Sequence, residues 1–288
     1  MKQKESASIL QHGQQKKGKE MDCRIWGDTS KNKEGKVLRI SFQNINGFGY
    51  GQDEFKAEDI RRLIQEREID ICLLAEMNVN WRVLNKRRTI NDRVRGWFEN
   101  QCVSTAYNHH DRTCNQYQPG GVAIITQGDM SLRKQRTGQD PRLMGRWAWQ
   151  LFRGKNNIKI RVISVYYASE VKEFGRKKAY TQQQRAILKM KRKESVVELF
   201  WKDLFQEIDK WLDAGEQLII GGDWNTDVRN KKFLKEFEDR QIVPAITGKH
   251  GINGPETYAR GSKPIDEILI SSTLGLKRAG YMERGAAL

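Results

Sequence analysis

The sequence predicts an α/β domain, and three observations carry that expectation. Seven short apolar runs read as strands: VLRISFQNI (37–45), DICLLAE (70–76), GGVAIIT (120–126), RWAWQLF (146–152), IKIRVISVYYA (158–168), QLIIGGD (217–223) and IDEILIS (265–271). Several are continuous rather than alternating, the pattern of strands covered on both faces. Between them lie segments with a helical period, and at 288 residues the chain can bury one extensive core.

Along the chain, residues 1–35 are rich in Lys, Gln, Gly and Ser without apolar periodicity, so they read as a mobile basic and polar arm preceding a domain over 36–288. The first strand ends at Asn44, before the turn-forming Asn46-Gly47. In AEDIRRLIQEREI, Ile60, Leu63 and Ile64 share one face, so an amphipathic helix links the first strand to the second, which ends at Glu76. PGG at 119–121 turns the chain into the third strand, and the fifth ends on Tyr166 and Tyr167. From Thr181 to Leu212 the apolar residues recur at helical spacing, as one or two helices. LIIGG then runs into Asp223 and Asn225, INGPE at 252–256 marks a surface turn, and the last strand opens at Asp266.

Fifty-two Lys and Arg against thirty-six Asp and Glu give a net charge of +16, which predicts attraction to polyanions, nucleic acid first among them. The charge is striped. Nine basic residues and one acid fall between Lys172 and Lys193, and Arg82, Lys86, Arg87, Arg88, Arg93 and Arg95 form a second cluster. Lys177, Lys178 and Arg185 in the first stripe are candidates to track a phosphate backbone, with a solvated helix face as the structural alternative. Arg146, Trp147 and Trp149, with Trp81 and Trp97, are candidates to stack on bases, with burial in the core as the alternative. No run approaches the length of a bilayer span, and the first twenty residues lack the apolar core of a secretory signal. The chain is therefore expected inside the cell, in nucleus or cytoplasm, without a membrane partner. Cys23, Cys72, Cys102 and Cys114 lack the pairing of a zinc ribbon, and Cys102, His109, His110 and Cys114 match no standard zinc module and read as a loop.

The candidates for chemistry gather at strand ends. Asn44, Glu76, Asp223, Asn225 and Asp266 each have a structural explanation as a turn, cap or solvated terminus. Together they describe something else, because side chains at strand ends converge at one sheet edge. Carboxylate oxygens there can hold Mg²⁺, and amide donors can offset charge on phosphoryl oxygens.

In order along the chain, SFQNINGF, LLAEMN, GGVAII, VISVYYAS, LIIGGDWN and ETYARGSKPIDEILIS resemble the motifs of the endonuclease/exonuclease/phosphatase superfamily, which includes abasic-site endonucleases and the endonuclease domains of non-LTR retroelements. The likeness spans roughly 37–288 and is most specific at LIIGGDWN; the final motif looks like the retroelement branch. It implies a four-layer α/β sandwich with two packed mixed β-sheets flanked by helices, the site lying at their shared edge. Glu76 is then the principal ligand of Mg²⁺, or of Mn²⁺ in its place, with Asn44 beside it on metal or phosphate. Asp223 orients or deprotonates the attacking water, Asn225 binds the scissile phosphate, and Thr257 contacts nucleic acid. Tyr167 aligns with the tyrosine of the family's Tyr-x-Pro element, although Ser169 stands where the proline would be and Tyr166 is adjacent.

In the family, Asp266 pairs with a histidine from a later Ser-Asp-His element, an arrangement that sets the imidazole tautomer. His12, His109, His110 and His250 all precede Asp266. The resemblance implies a fragment of a longer polyprotein, truncated before that motif and lacking its last strand, with a reverse transcriptase domain as its partner; the alternative is a copy that has lost both. The function implied is Mg²⁺-dependent nicking of DNA. The alternatives are an inactive nucleic-acid-binding relic and a phosphatase acting on small phosphoesters.

Overall fold

A computed structural model of the chain describes residues 25–29, 32–49, 55–84, 89–111, 114–170, 178–258 and 261–282. In chain order the elements are β1 (Trp26–Gly27), β2 (Ile40–Asn44), α1 (Phe55–Glu66), β3 (Ile71–Ala75), α2 (Ile90–Arg93), β4 (Gln101–Ala106), β5 (Val122–Gln127), α3 (Asp129–Leu132), β6 (Lys134–Gln139) and β7 (Trp147–Arg153). There follow β8 (Lys159–Tyr166), α4 (Ala179–Lys189), α5 (Val196–Asp213), β9 (Glu216–Asp223), α6 (Lys231–Glu238), β10 (Ile242–Pro244), α7 (Ile246–His250), β11 (Asp266–Ser271) and β12 (Gly280–Tyr281).

Two mixed sheets stack face to face. One has the order β2-β3-β5-β4 and the other β10-β11-β9-β8-β7-β6, with β2 and β3 parallel, β8 and β9 parallel, and every other neighbour antiparallel. The pleat of β3 explains its unbroken apolar run, since Ile71, Leu73 and Ala75 face the second sheet while Cys72 and Leu74 face a helix. That helix is α1, whose Ile60, Leu63 and Ile64 are buried against the outer face of the first sheet. On the far side, Phe200, Leu204, Ile208 and Trp211 of α5 and Phe233 and Phe237 of α6 cover Trp147, Ile163, Val165, Leu218, Ile220 and Leu269. The result is helix, sheet, sheet, helix: the four-layer α/β sandwich. Gly221 of β9 packs closely on the first sheet, and a Cβ there would stand 2.6 Å from Leu73 Cδ1 and 3.1 Å from Phe42 Cβ.

The segment between Thr181 and Leu212 resolves into two helices. Ser195 begins the second with a capping box, its Oγ accepting from Glu198 N at 3.1 Å while Ser195 N donates to Glu198 Oε2 at 2.9 Å.

The boundary expected near residue 36 moves. Trp26 and Gly27 pair antiparallel with Tyr281 and Gly280, and the Asp28 carboxylate accepts from Ala279 N at 2.9 Å and pairs with Lys249 at 2.8 Å. Lys33 pairs with Asp70, so the described residues Trp26 to Asp28 and Lys33 are tied to the domain rather than free of it. Residues 1–24, and with them most of the expected arm, lie outside the described residues.

Candidate active site

The strand registers build the site. In the second sheet Tyr166 of β8 stands beside Asp223 of β9, which stands beside Asp266 of β11, so one row across three strands ends in a phenol and two carboxyls. In the first sheet Asn44 is in register with Ala75, and Glu76 follows it. Because the sheets are stacked, both rows open at one edge. Asn44 bridges them, its Nδ2 donating to Asp223 Oδ2 at 2.7 Å.

A set of short bonds fixes the geometry. Asp223 Oδ1 accepts from Asn225 N at 3.0 Å, and Asn225 Nδ2 donates to the carbonyl of Tyr167 at 2.7 Å. Asn44 Oδ1 accepts from Asn46 N at 2.9 Å. Thr257 Oγ1 accepts from Ile265 N at 3.0 Å and Asp266 N at 3.2 Å. The phenol of Tyr281 donates to the Asp266 carbonyl at 2.9 Å. Four of the residues here adopt left-handed backbone: Asn46 (φ 44°), Glu76 (φ 50°), Asn78 (φ 54°) and Asn225 (φ 44°). Asparagine tolerates that region, glutamate does so at a cost, and such strain collects at functional sites. Around Glu76 it is held by Met77 N donating to Gly121 O at 3.1 Å and Asn78 N to Gly120 O at 2.9 Å.

The electrostatics are those of a negative cluster. Burial raises Asp223 well above the usual carboxylate range, and the charges of Asp266 and Glu76 push it the same way. Asp266 is pushed up to about 6 by burial, against the Thr257 hydroxyl and with help from Glu76. Burial likewise raises the Tyr166 phenol, and the neighbouring charges of Glu76 and Asp223 push it the same way. Asp266 Oδ1 is buried without a hydrogen-bond partner. An orphaned carboxylate oxygen among like charges fits a hard divalent cation. Among the described residues no three His, Cys, Asp or Glu side chains form a ready-made metal cage. Mg²⁺ does not require one, because it is commonly held by one or two carboxylates together with water and substrate phosphate.

Most of the residues singled out from the sequence meet here: Asn44, Glu76, Asp223, Asn225, Asp266 and, as a support of Asp266, Thr257. Tyr167 does not. One step along the pleat turns its ring into the core against Phe200 (4.7 Å between centroids) and Trp201 (5.3 Å), and only its carbonyl reaches the site. Tyr166 is the tyrosine that faces Glu76, so the assignment to Tyr167 is corrected. Arg146 is corrected too. It is fully buried, its guanidinium bonded to Asp140 at 3.1 Å, Asp203 at 2.8 Å and Leu199 O at 3.3 Å, so it cannot reach a nucleic acid. Trp147 is core, Trp81 is buried beside Phe48, and Trp149 stacks on Arg161. Lys178 is exposed at the rim of the cleft, Arg185 is half-buried on α4, and Lys177 lies outside the described residues. Cys102 belongs to β4 rather than to a loop, and Cys114 accepts from Gln182 at 2.8 Å. Asn46 and Asn78, which border the cleft, were not singled out. Their left-handed backbone depends on loop geometry that composition does not carry.

The chain belongs to the endonuclease/exonuclease/phosphatase family, whose model matches residues 42–286. Members are in general metal-dependent hydrolases, nucleases and phosphatases among them, that use divalent cations, generally Mg²⁺. Among solved structures the chain is similar to the catalytic domain of human Nocturnin with bound sulfate, at 13% identity and a TM-score of 0.56, covering 87% of this chain and 89% of that one. It is also similar to the AP endonuclease LMAP from Leishmania major, at 12% identity and a TM-score of 0.57 over 82% and 79% of the two chains. A third is the 3′ phosphatase NExo from Neisseria, bound to product DNA hairpin, at 12% identity and a TM-score of 0.53 over 82% and 87%. At these identities the likeness establishes the fold alone. No curated protein sequence matches.

Proposed function

We propose that the chain is a Mg²⁺-dependent endonuclease that nicks DNA, and that it derives from a retroelement-type protein, where a reverse transcriptase would accompany it. The observation that carries the reading is the convergence of Glu76, Asp223 and Asp266, bridged by Asn44, at one edge of two stacked sheets. Glu76 would hold Mg²⁺, or Mn²⁺ in its place, with the amides of Asn44 and Asn46 beside it. Once bound, the cation would polarise the phosphoryl oxygens and offset their charge.

The chain's own groups have clear tasks. Asp223, fixed through both oxygens and with raised proton affinity, is suited to take a proton from the attacking water. Asn225 spends one amide hydrogen on Tyr167 O and keeps the other for a phosphoryl oxygen. Tyr166 lines the cleft beside Glu76, and Thr257 fixes the backbone at Asp266. The net charge of +16 favours a polyanion over a small phosphoester, and the Thr257 and Ile265-Asp266 elements support the retroelement branch.

The test is nicking of supercoiled plasmid with Mg²⁺, against EDTA and Glu76→Ala. Nicking lost in both controls is the expected result. A folded protein that binds DNA without nicking it would favour a binding relic, and hydrolysis confined to small phosphoesters would favour a phosphatase.

A further inference from the structure

Beside Glu76 the site opens into a cleft of about 540 Å³ whose far wall the phosphoryl chemistry does not use. Glu76, Asn78 and Tyr166 line it together with Tyr117, Tyr180, Lys178 and the carboxylate of Glu170. Tyr117 is 37% exposed, and its backbone is pinned by a β-bridge to Val79, the residue that follows the LLAEMN motif. Tyr180 comes from the first turn of α4, and Lys178 stands at the N-terminal boundary of that helix without a capping side-chain bond. The floor is Pro119-Gly120, and its glycine is required. Gly120 has φ +85°, and a Cβ there would stand 3.2 Å from Ala179 Cβ and 3.3 Å from the Tyr166 ring. Asn78 Oδ1 fixes the floor by accepting from Gly120 N at 2.8 Å. A shaped, preset recess with three phenol rings, and with Lys178 as well as Glu170 in its wall, suits a flat, polar-edged aromatic ligand next to a phosphate.

We propose that this cleft is a nucleobase subsite, in which the base of a nucleotide flanking the scissile phosphate leaves its stack and packs against Tyr117 and Tyr180, with Lys178 on the adjoining phosphate. The proposal rests on the phosphodiesterase reading above and names its substrate class: a strand in which that nucleotide is unpaired, frayed or extruded. Unstacking costs least in single strands and at mismatches, so such strands are cleaved faster than perfect duplex.

The full chain is tested with two readouts. Without metal, a trinucleotide with 2-aminopurine between two thymidines loses fluorescence on binding wild type and Tyr117→Phe, because the base stacks on a ring, and loses much less on binding Tyr117→Ala. With Mg²⁺, replacing the central base by an abasic residue lowers kcat/KM about 5- to 100-fold for wild type, the range expected for one stacked base. In Tyr117→Ala the same replacement costs less than about twofold, because ring and base act as a pair. Equal losses in the two proteins, or cleavage without ring-dependent quenching, overturn the subsite and leave the phosphodiesterase reading intact. Ring-dependent quenching without cleavage supports the subsite and overturns the catalytic reading.

Discussion

Tyr166 and Tyr167 are neighbours whose fates diverge because a strand points successive side chains to opposite faces. The phenol of Tyr166 faces the cleft beside Glu76 and Asp223, while the ring of Tyr167 fills the aromatic cluster of Phe200 and Trp201. A phenol that donates to a charged phosphoryl oxygen contributes about 1.5–3 kcal/mol, so Tyr166→Phe should lower kcat/KM roughly 10- to 150-fold. Tyr167→Phe keeps the packed ring and should stay within about twofold by the same arithmetic. Equal losses for the two variants would reverse the assignment. Asp266 gives a prediction with a sign. Its folded-state pKa, raised from 3.8 to about 6 chiefly by burial, lies above the unfolded value, so between those pH values the folded protein holds the proton more tightly. In EDTA the contribution of Asp266 to stability therefore falls as pH rises from about 3.8 through about 6. Asp266→Asn removes that slope, and Mg²⁺ should restore stability at the upper end by binding only the folded state. Thermal unfolding across that range checks this; parallel pH profiles for the two proteins in EDTA would refute it.

Among the elements, β7 shows why an arginine in a basic chain need not meet a ligand. Arg146 enters the interior just before Trp147 and is held between Asp140 and Asp203, while Arg142 makes a two-pronged contact with Asp203 at 2.7 and 3.0 Å. Asp140 also caps the turn, accepting from the backbone N–H groups of Arg142, Met144 and Arg146. Removing one member of a buried ion network strands its partners, which costs about 3–5 kcal/mol. Arg146→Met should lower unfolding free energy by about that amount, while the folded fraction keeps its affinity for DNA. Normal stability with weakened binding would return Arg146 to the interface. The apolar strands were legible because their runs are continuous, and α1 because Ile60, Leu63 and Ile64 share a face. The polar edge strand β6, KQRTGQ, was not legible, since its residues carry no apolar period, and the two- and three-residue strands β1, β10 and β12 are too short to have one.

For the whole molecule, the strand-end carboxylates were readable because their position depends on where an apolar run begins or stops, which for the first strand Asn46-Gly47 announces. The phase of the pleat at Tyr166, the burial of Arg146 and the clasp between Trp26 and Tyr281 were not, because each depends on which distant segment packs alongside. Charge behaves differently, since a field sums over the surface without regard to register. With a net +16, association with DNA should be driven largely by release of counterions. The logarithm of the binding constant should then fall linearly with the logarithm of salt concentration, each neutralised phosphate of a duplex adding about 0.9 to the slope. Lys178, exposed at the cleft rim, should account for about one such contact. Lys178→Ala should therefore flatten the slope by about 0.9 and weaken binding alike on all duplex sequences. A loss that varies with base sequence would mean that Lys178 reads bases, and an unchanged slope would move the bound strand away from the cleft and toward the helix face of the same stripe.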